Sequence, residues 1–265
     1  MIKLFEHIGR YFMLLSKVFS RPEKMRIYRS RIWFEVEALG FNSISLTAII
    51  SAFIGAVVAL QMAITSFSNI FVQSYINFFG DNCMSGWTTY AKVDQLLFLP
   101  MQSIALASTT FVGQNLGCNQ VERAREGVRK ALIISLISTV VLMIPVLIFS
   151  PEIVAFFNNK EDVVQYGSML LRWLSPFYVL CCFNQIYSGA LRGAGNSKAP
   201  MIFMLASFVA FRQIYLFAMS NIWNEIIPIA MSYPAGWLLC SILTGVYYHK
   251  VRLGKSRLVE DEKSE

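Results

Sequence analysis

Apolar residues run from Gly40 to Gly80 without a single Asp, Glu, Lys or Arg between them. Five more apolar runs follow, at about 86–112, 131–149, 166–191, 200–222 and 227–248. A helix that crosses a bilayer needs ~20 such residues, so each run predicts one span. The first stretch is long enough for two spans. Two, however, would place Arg123 to Lys130 on the outer side, against the tendency of Lys and Arg to stay inside. One span is therefore expected over Ile50–Ile76, with Ser43 to Ile49 as its interfacial approach. Pro151 to Val163 reads as an outer loop carrying Glu152, Glu161 and Asp162. The pattern predicts an all-α polytopic membrane protein with six transmembrane helices and both termini cytoplasmic.

Ahead of the spans, Leu4, Phe5, Ile8, Tyr11, Phe12, Leu15, Val18 and Phe19 recur at a helical period, with Lys3, Arg10 and Lys17 on another face. That is an interfacial helix, lying on the membrane rather than across it. Without an apolar core and cleavage site it is not a signal peptide. The expected organisation is a basic, amphipathic cytoplasmic segment over residues 1–42, a six-helix lobe over 43–248 and a cytoplasmic tail over 249–265.

Composition adds to this in two ways. Hydrophobic residues make up 55% of the chain and charged ones only 15%, too apolar for a soluble domain of this length. The net charge of +7 is segregated: 19 of the 23 Lys and Arg lie in the first 31 residues, in two short loops or in the tail. That is membrane orientation and attraction to membrane lipid, not a nucleic-acid footprint. The five cysteines are scattered without a CxxC pair, and both histidines (His7, His249) flank the spans. No metal site, cofactor or catalytic nucleophile–base pair can be assembled, so an enzyme is not expected.

Ionisable groups inside spans are costly, which makes each a functional candidate. Four qualify: Lys92, Asp94, Arg172 and Arg212. They fall at similar depth in the outer half, as one polar cluster. Lys92 and Asp94 stand two residues apart and point to opposite sides of a helix, so Asp94 is expected to pair with Arg212 while Lys92 faces elsewhere. Arg172 is expected to snorkel outward. Such a pair serves structure as readily as transport. Gln61, Thr65, Ser68, Asn69, Gln73, Asn184, Gln185, Tyr187, Gln213 and Tyr215 add softer polar groups, which either glue helices together or line a cavity. Gly113 to Gly117 and Gly189 to Gly193 are GxxxG pairs at span ends and read as turn chemistry.

Three stretches carry a resemblance. FVGQNLGCNQVERARE, with Gly113, Gln114, Asn115, Gly117, Glu122 and Arg123, resembles the loop between the eighth and ninth helices of the MATE (multidrug and toxic compound extrusion) transporters. LQMAITSFSNIFVQSYINFFG, Leu60 to Gly80, looks like that family's seventh helix. SGALRGAGNSKAPM, with Arg192, Gly193 and Gly195, looks like its turn between helices ten and eleven. The three stand in register and cover Gly55 to Tyr248. The resemblance implies the C-terminal six-helix lobe of a twelve-helix transporter in the plasma membrane. It also implies efflux of small amphipathic or cationic compounds by antiport against H+ or Na+. One branch of the family carries a carboxylate where this chain has Thr65, and the family's proline near Val57 is missing. The resemblance therefore assigns the coupling acid to the first lobe.

From this come three functional expectations. The first is half of a multidrug antiporter, inactive alone, completed by an N-terminal MATE lobe or by a second parallel copy. The second is a flippase of lipid-linked oligosaccharide or polysaccharide, which calls for a strongly cationic cavity. The third is a non-transporting relic or accessory subunit.

Overall fold

The computed structural model describes residues 32–34 and 42–251. The expected interfacial helix over residues 1–20, the basic stretch Arg21–Arg31 and the tail past Val251 lie outside the described residues. The chain divides into two compact units, residues 1–57 and 58–265. In the first, the described part is residues 32–34 and the opening of helix α1 (Asn42–Asn77).

The second unit is helical throughout its regular structure. The rest of α1 is followed by α2 (Asp81–Gly117), α3 (Val121–Ile148), a short α4 (Ser150–Phe157), α5 (Glu161–Leu174) and α6 (Tyr178–Gly193). Then come α7 (Lys198–Leu205), a π-helical segment (Ala206–Phe211), α8 (Arg212–Ile222), α9 (Ile226–Ala230) and α10 (Ser232–Lys250). A single 3-10 turn, Ser175–Phe177, joins α5 to α6 at Pro176, where the missing N–H breaks the ladder. The elements thus form six rods, each over one of the expected spans. Four rods among the described residues are long and apolar enough to cross a membrane: α2, α3, Lys198–Ile222 and Ile226–Lys250. The segment expected as an outer loop instead opens with α4, because Pro151 suits the first turn of a helix.

Packing follows membrane logic. Ile133, Ile134, Ile137, Val141, Ile144 and Ile148 stand exposed along one stripe of α3, while Ser135 and Thr139 are buried opposite. Lipid chains are as apolar as Leu, so sorting by hydrophobicity fails here and small or polar groups mark the helix–helix faces. Two apolar clusters fill the interior. The larger includes Trp87, Tyr90, Leu97, Met101, Leu170, Leu174, Tyr178 and Trp237. The smaller, at the other end of the bundle, gathers Ala105, Val112, Leu116, Ala124, Val128, Ile186 and Ala190.

The glycines correct one expectation. Gly189 and Gly193 are contact points, not turn residues. A Cβ on Gly193 would lie 2.3 Å from the Thr109 carbonyl oxygen, and one on Gly189 would lie 2.6 Å from that of Ala105. The missing side chains let α6 rest backbone to backbone on α2. The turns are made one step later. Gly195 takes φ +80° while Asn196 N–H bonds Leu191 O at 2.9 Å and Gly195 N–H bonds Arg192 O at 3.0 Å. At the end of α2, Asn119 takes φ 58°, with Gln120 N–H on Asn115 O at 2.8 Å and Asn119 N–H on Leu116 O at 3.1 Å. Both are Schellman ends, which satisfy the last carbonyls of a helix. The hydrated loop between α2 and α3 therefore shrinks to Cys118–Gln120. Arg123, Arg125, Arg129 and Lys130 ride on the first turns of α3.

Candidate functional site

Polar side chains of five helices converge on a cleft of about 370 Å³. Thr65 and Asn69 reach it from α1, one turn apart. From α2 come Asp94, Gln95, Phe98 and Gln102, spaced to share a helix face. Gln185 enters from α6, Arg212 from α8, Phe208 from the π segment, and Tyr233 and Trp237 from α10.

The π segment sets much of this geometry. A π turn widens the helix and disturbs its regular ladder, so its carbonyls take outside partners. The Ser68 hydroxyl donates to Phe208 O at 2.8 Å. The Gln213 amide in turn donates to Ser68 Oγ at 3.0 Å and to Ser68 O at 3.3 Å. These bonds stitch the widened turn to α1, and Arg212 follows it directly. Arg212 is only 2% exposed. It donates to Asn69 Oδ1 at 2.8 Å and lies 4.1 Å from the centre of the Tyr233 ring and 5.4 Å from that of Phe208. Its Nε has no hydrogen-bond partner among the described residues. The Tyr233 hydroxyl also donates to Asn69 Oδ1, at 3.3 Å.

Asp94 is held differently. The hydroxyls of Tyr90, one turn earlier on α2, and Tyr178, on α6, both donate to its Oδ1, at 3.1 and 2.5 Å. Phe98, Tyr178, Trp237 and Tyr233 stand ring against ring around it, with centroids 5.5–6.1 Å apart.

Several expectations change here. Asp94 and Arg212 do face one cleft, but no ion pair joins them. Two tyrosines satisfy the carboxylate, while the π turn aims the arginine at Asn69 and two rings. The four intramembrane charges do not form one cluster. The Lys92 ammonium lies 5.5 Å from the centre of the Phe157 ring, and Arg172 Nε donates to Ser150 Oγ at 2.8 Å. Both seat α4 on the bundle. Of the softer candidates, Thr65, Asn69 and Gln185 line the cleft; Asn184 is buried apart from it. The Tyr215 ring packs on Phe211, with centroids 6.4 Å apart. The Gln61 side chain lies outside the described residues.

The loop candidates lie apart from the cleft. Arg123 donates to Gln120 at 3.2 Å and Arg125 pairs with Glu122 at 2.8 Å. Asn115 donates to Phe111 O at 2.7 Å, and Gln114 is exposed on the last turn of α2. Arg192 sits in the last turn of α6, where a cation complements the helix dipole. Sequence reasoning missed Tyr90, Gln95, Phe98, Gln102, Tyr178, Tyr233 and Trp237. The spacing of Tyr90, Asp94, Phe98 and Gln102, one helical turn apart each time, was the available signal.

A lobe of lipid-exposed helices around a polar, aromatic-walled cleft defines a multi-pass α-helical membrane protein. The chain belongs to the MatE family, whose family model matches residues 54–215. It is 25% identical over 199 residues to the probable multidrug resistance protein YoeA of Bacillus subtilis (strain 168), covering 75% of this chain and 43% of YoeA. It is also 25% identical over 151 residues to the probable multidrug resistance protein NorM of Thermotoga maritima, covering 57% of this chain and 30% of NorM. The chain thus spans less than half the length of these relatives. Among solved structures, the Vibrio cholerae MATE transporter VcmN in its bent form superposes with a TM-score of 0.69 at 14% identity, over 78% of this chain and 47% of VcmN. A MOP superfamily transporter from Pyrococcus furiosus does so with a TM-score of 0.68 at 18% identity, over 74% and 44%. Those two likenesses concern the fold.

Proposed function

We propose that this chain is the C-terminal six-helix lobe of a multidrug exporter that works by H+ or Na+ antiport, and that its cleft takes the substrate. The observation that carries this is the cleft itself: a carboxylate with no ion pair among the described residues, walled by Phe98, Trp237, Tyr233 and Phe208. Flat apolar walls with one negative group suit a small amphipathic cation, held by ring stacking, cation–π attraction and charge. A flippase for a pyrophosphate headgroup calls for several free cations. Among the described residues lining the cleft, Arg212 is the one cation, and its guanidinium is held by Asn69 and two rings. The drug reading is better supported on that ground.

Alternating access needs two bodies that rock about a site between them, and this polypeptide supplies one. A separate first lobe or a second parallel copy is the proposed partner, with both termini on the cytoplasmic side. The binding step is tested by titrating the purified chain in detergent with ethidium, a fluorescent aromatic cation. Asp94→Asn should weaken binding by about tenfold, the value of one charge-assisted contact, and Lys92→Gln should leave it unchanged. Equal binding by the Asp94 variant contradicts the assignment of the cleft.

A further inference from the structure

A second pocket, of about 580 Å³, opens at the end of the bundle where α3 begins and α10 ends. One face of α3 supplies Arg125, Val128, Arg129 and Leu132, at the i, i+3, i+4 and i+7 positions. Tyr187 of α6 and Tyr248 and His249 of α10 close the other side. The arrangement is graded. Val128 is 2% exposed and belongs with Leu132 to the smaller apolar cluster, so the floor is greasy. The rim carries two guanidiniums and an imidazole. Tyr187 and Tyr248 stack with centroids 4.7 Å apart, and His249 packs edge-on against both, at 5.8 and 5.4 Å.

Arg125 pairs with Glu122 at 2.8 Å in an exposed contact, the kind that contributes little to stability. Glu126 is taken by Lys130 at 2.8 Å. Arg129 has neither an ion pair nor a hydrogen bond among the described residues. A guanidinium fork matches a phosphate with two parallel N–H bonds, which an ammonium cannot do. Tyrosine hydroxyls and basic side chains at a span end meet lipid headgroups in any bilayer.

From this geometry we infer a binding site for the phosphate of an amphiphile, distinct from the central cleft: the phosphate between Arg125, Arg129 and His249, its apolar part over Val128 and Leu132. An anionic phospholipid and a soluble phosphate monoester share the recognised group, and two probes separate them. The full chain is purified in detergent. Retention of phosphatidylglycerol against phosphatidylcholine is read by native mass spectrometry, and the melting temperature is read with and without glycerol phosphate. Arg125→Gln with Arg129→Gln should lower phosphatidylglycerol retention by about tenfold, as expected for charge-assisted bonds. Arg123→Gln, the same charge change on a neighbouring turn outside the pocket, should not. Arg129→Lys, which keeps the charge and loses the fork, should fall between them, and it reads the site even if the double variant folds poorly. Stabilisation by glycerol phosphate, lost in the double variant, would establish the phosphate site with a soluble source. The inference is overturned if Arg123→Gln loses as much as the double variant. Equal retention of phosphatidylcholine, or no response to either probe, overturns it too.

Discussion

Gly193 and Gly195 stand two residues apart and do different jobs. Gly193 lies where α6 touches α2, and a methyl there meets a backbone carbonyl that cannot swing aside. Gly193→Ala should cost about 1–3 kcal/mol of stability, the usual range for overpacking. Gly117→Ala, with nothing within 4 Å, should be silent. Thermal unfolding in detergent compares the two; equal melting temperatures would contradict the close-contact reading. The same scale holds the main revision at the cleft. Asp94, Arg212, Thr65, Asn69 and Gln185 were legible as candidates, because charge and polarity inside an apolar run are conspicuous. The two tyrosine partners of Asp94 were not, since a tyrosine inside an apolar run looks like core. The consequence is measurable. Asp94→Asn keeps an oxygen for both tyrosine hydroxyls, so combining it with Arg212→Gln should be additive in stability within about 0.5 kcal/mol. A clear rescue in the double variant would restore the ion pair in place of the tyrosine cradle.

Among the elements, the π segment Ala206–Phe211 is what a periodic reading could not supply. ASFVAF is as apolar as its neighbours, and the extra residue per turn leaves no mark in composition. What betrays it is the partner: Ser68 on α1, whose hydroxyl meets Phe208 O. Ser68→Ala should destabilise by about 1–3 kcal/mol, because the partners of the buried hydroxyl lose their bond. It should also weaken ethidium binding, since Phe208 and Arg212 are aimed by that turn. Destabilisation without any loss of binding would detach the π segment from the cleft. The six rods themselves were legible, for apolar length is a strong signal. Helix α4 was not, because its acid and its proline resemble loop chemistry. Structure shows it contacted by Lys92, a cavity candidate from the sequence, and by Arg172, expected there to snorkel outward.

At the scale of the whole molecule, the charge asymmetry of the loops argues for orientation and the paired-lobe reading argues for mechanism. Cys118 tests the first without engineering: it is exposed in the α2–α3 turn, while Cys83, Cys181, Cys182 and Cys240 are buried. An impermeant thiol reagent applied to intact cells should leave Cys118 unlabelled and should label cysteines placed at Asn159 and Asn224. Labelling of Cys118 from outside would invert the topology. The central claim is that this lobe binds substrate but needs a second body to move it. Purified chain reconstituted into liposomes, with an imposed proton or sodium gradient and ethidium as cargo, measures that most directly. Binding with no gradient-driven efflux is the predicted result. Robust gradient-driven efflux from this polypeptide as a monomer would contradict it.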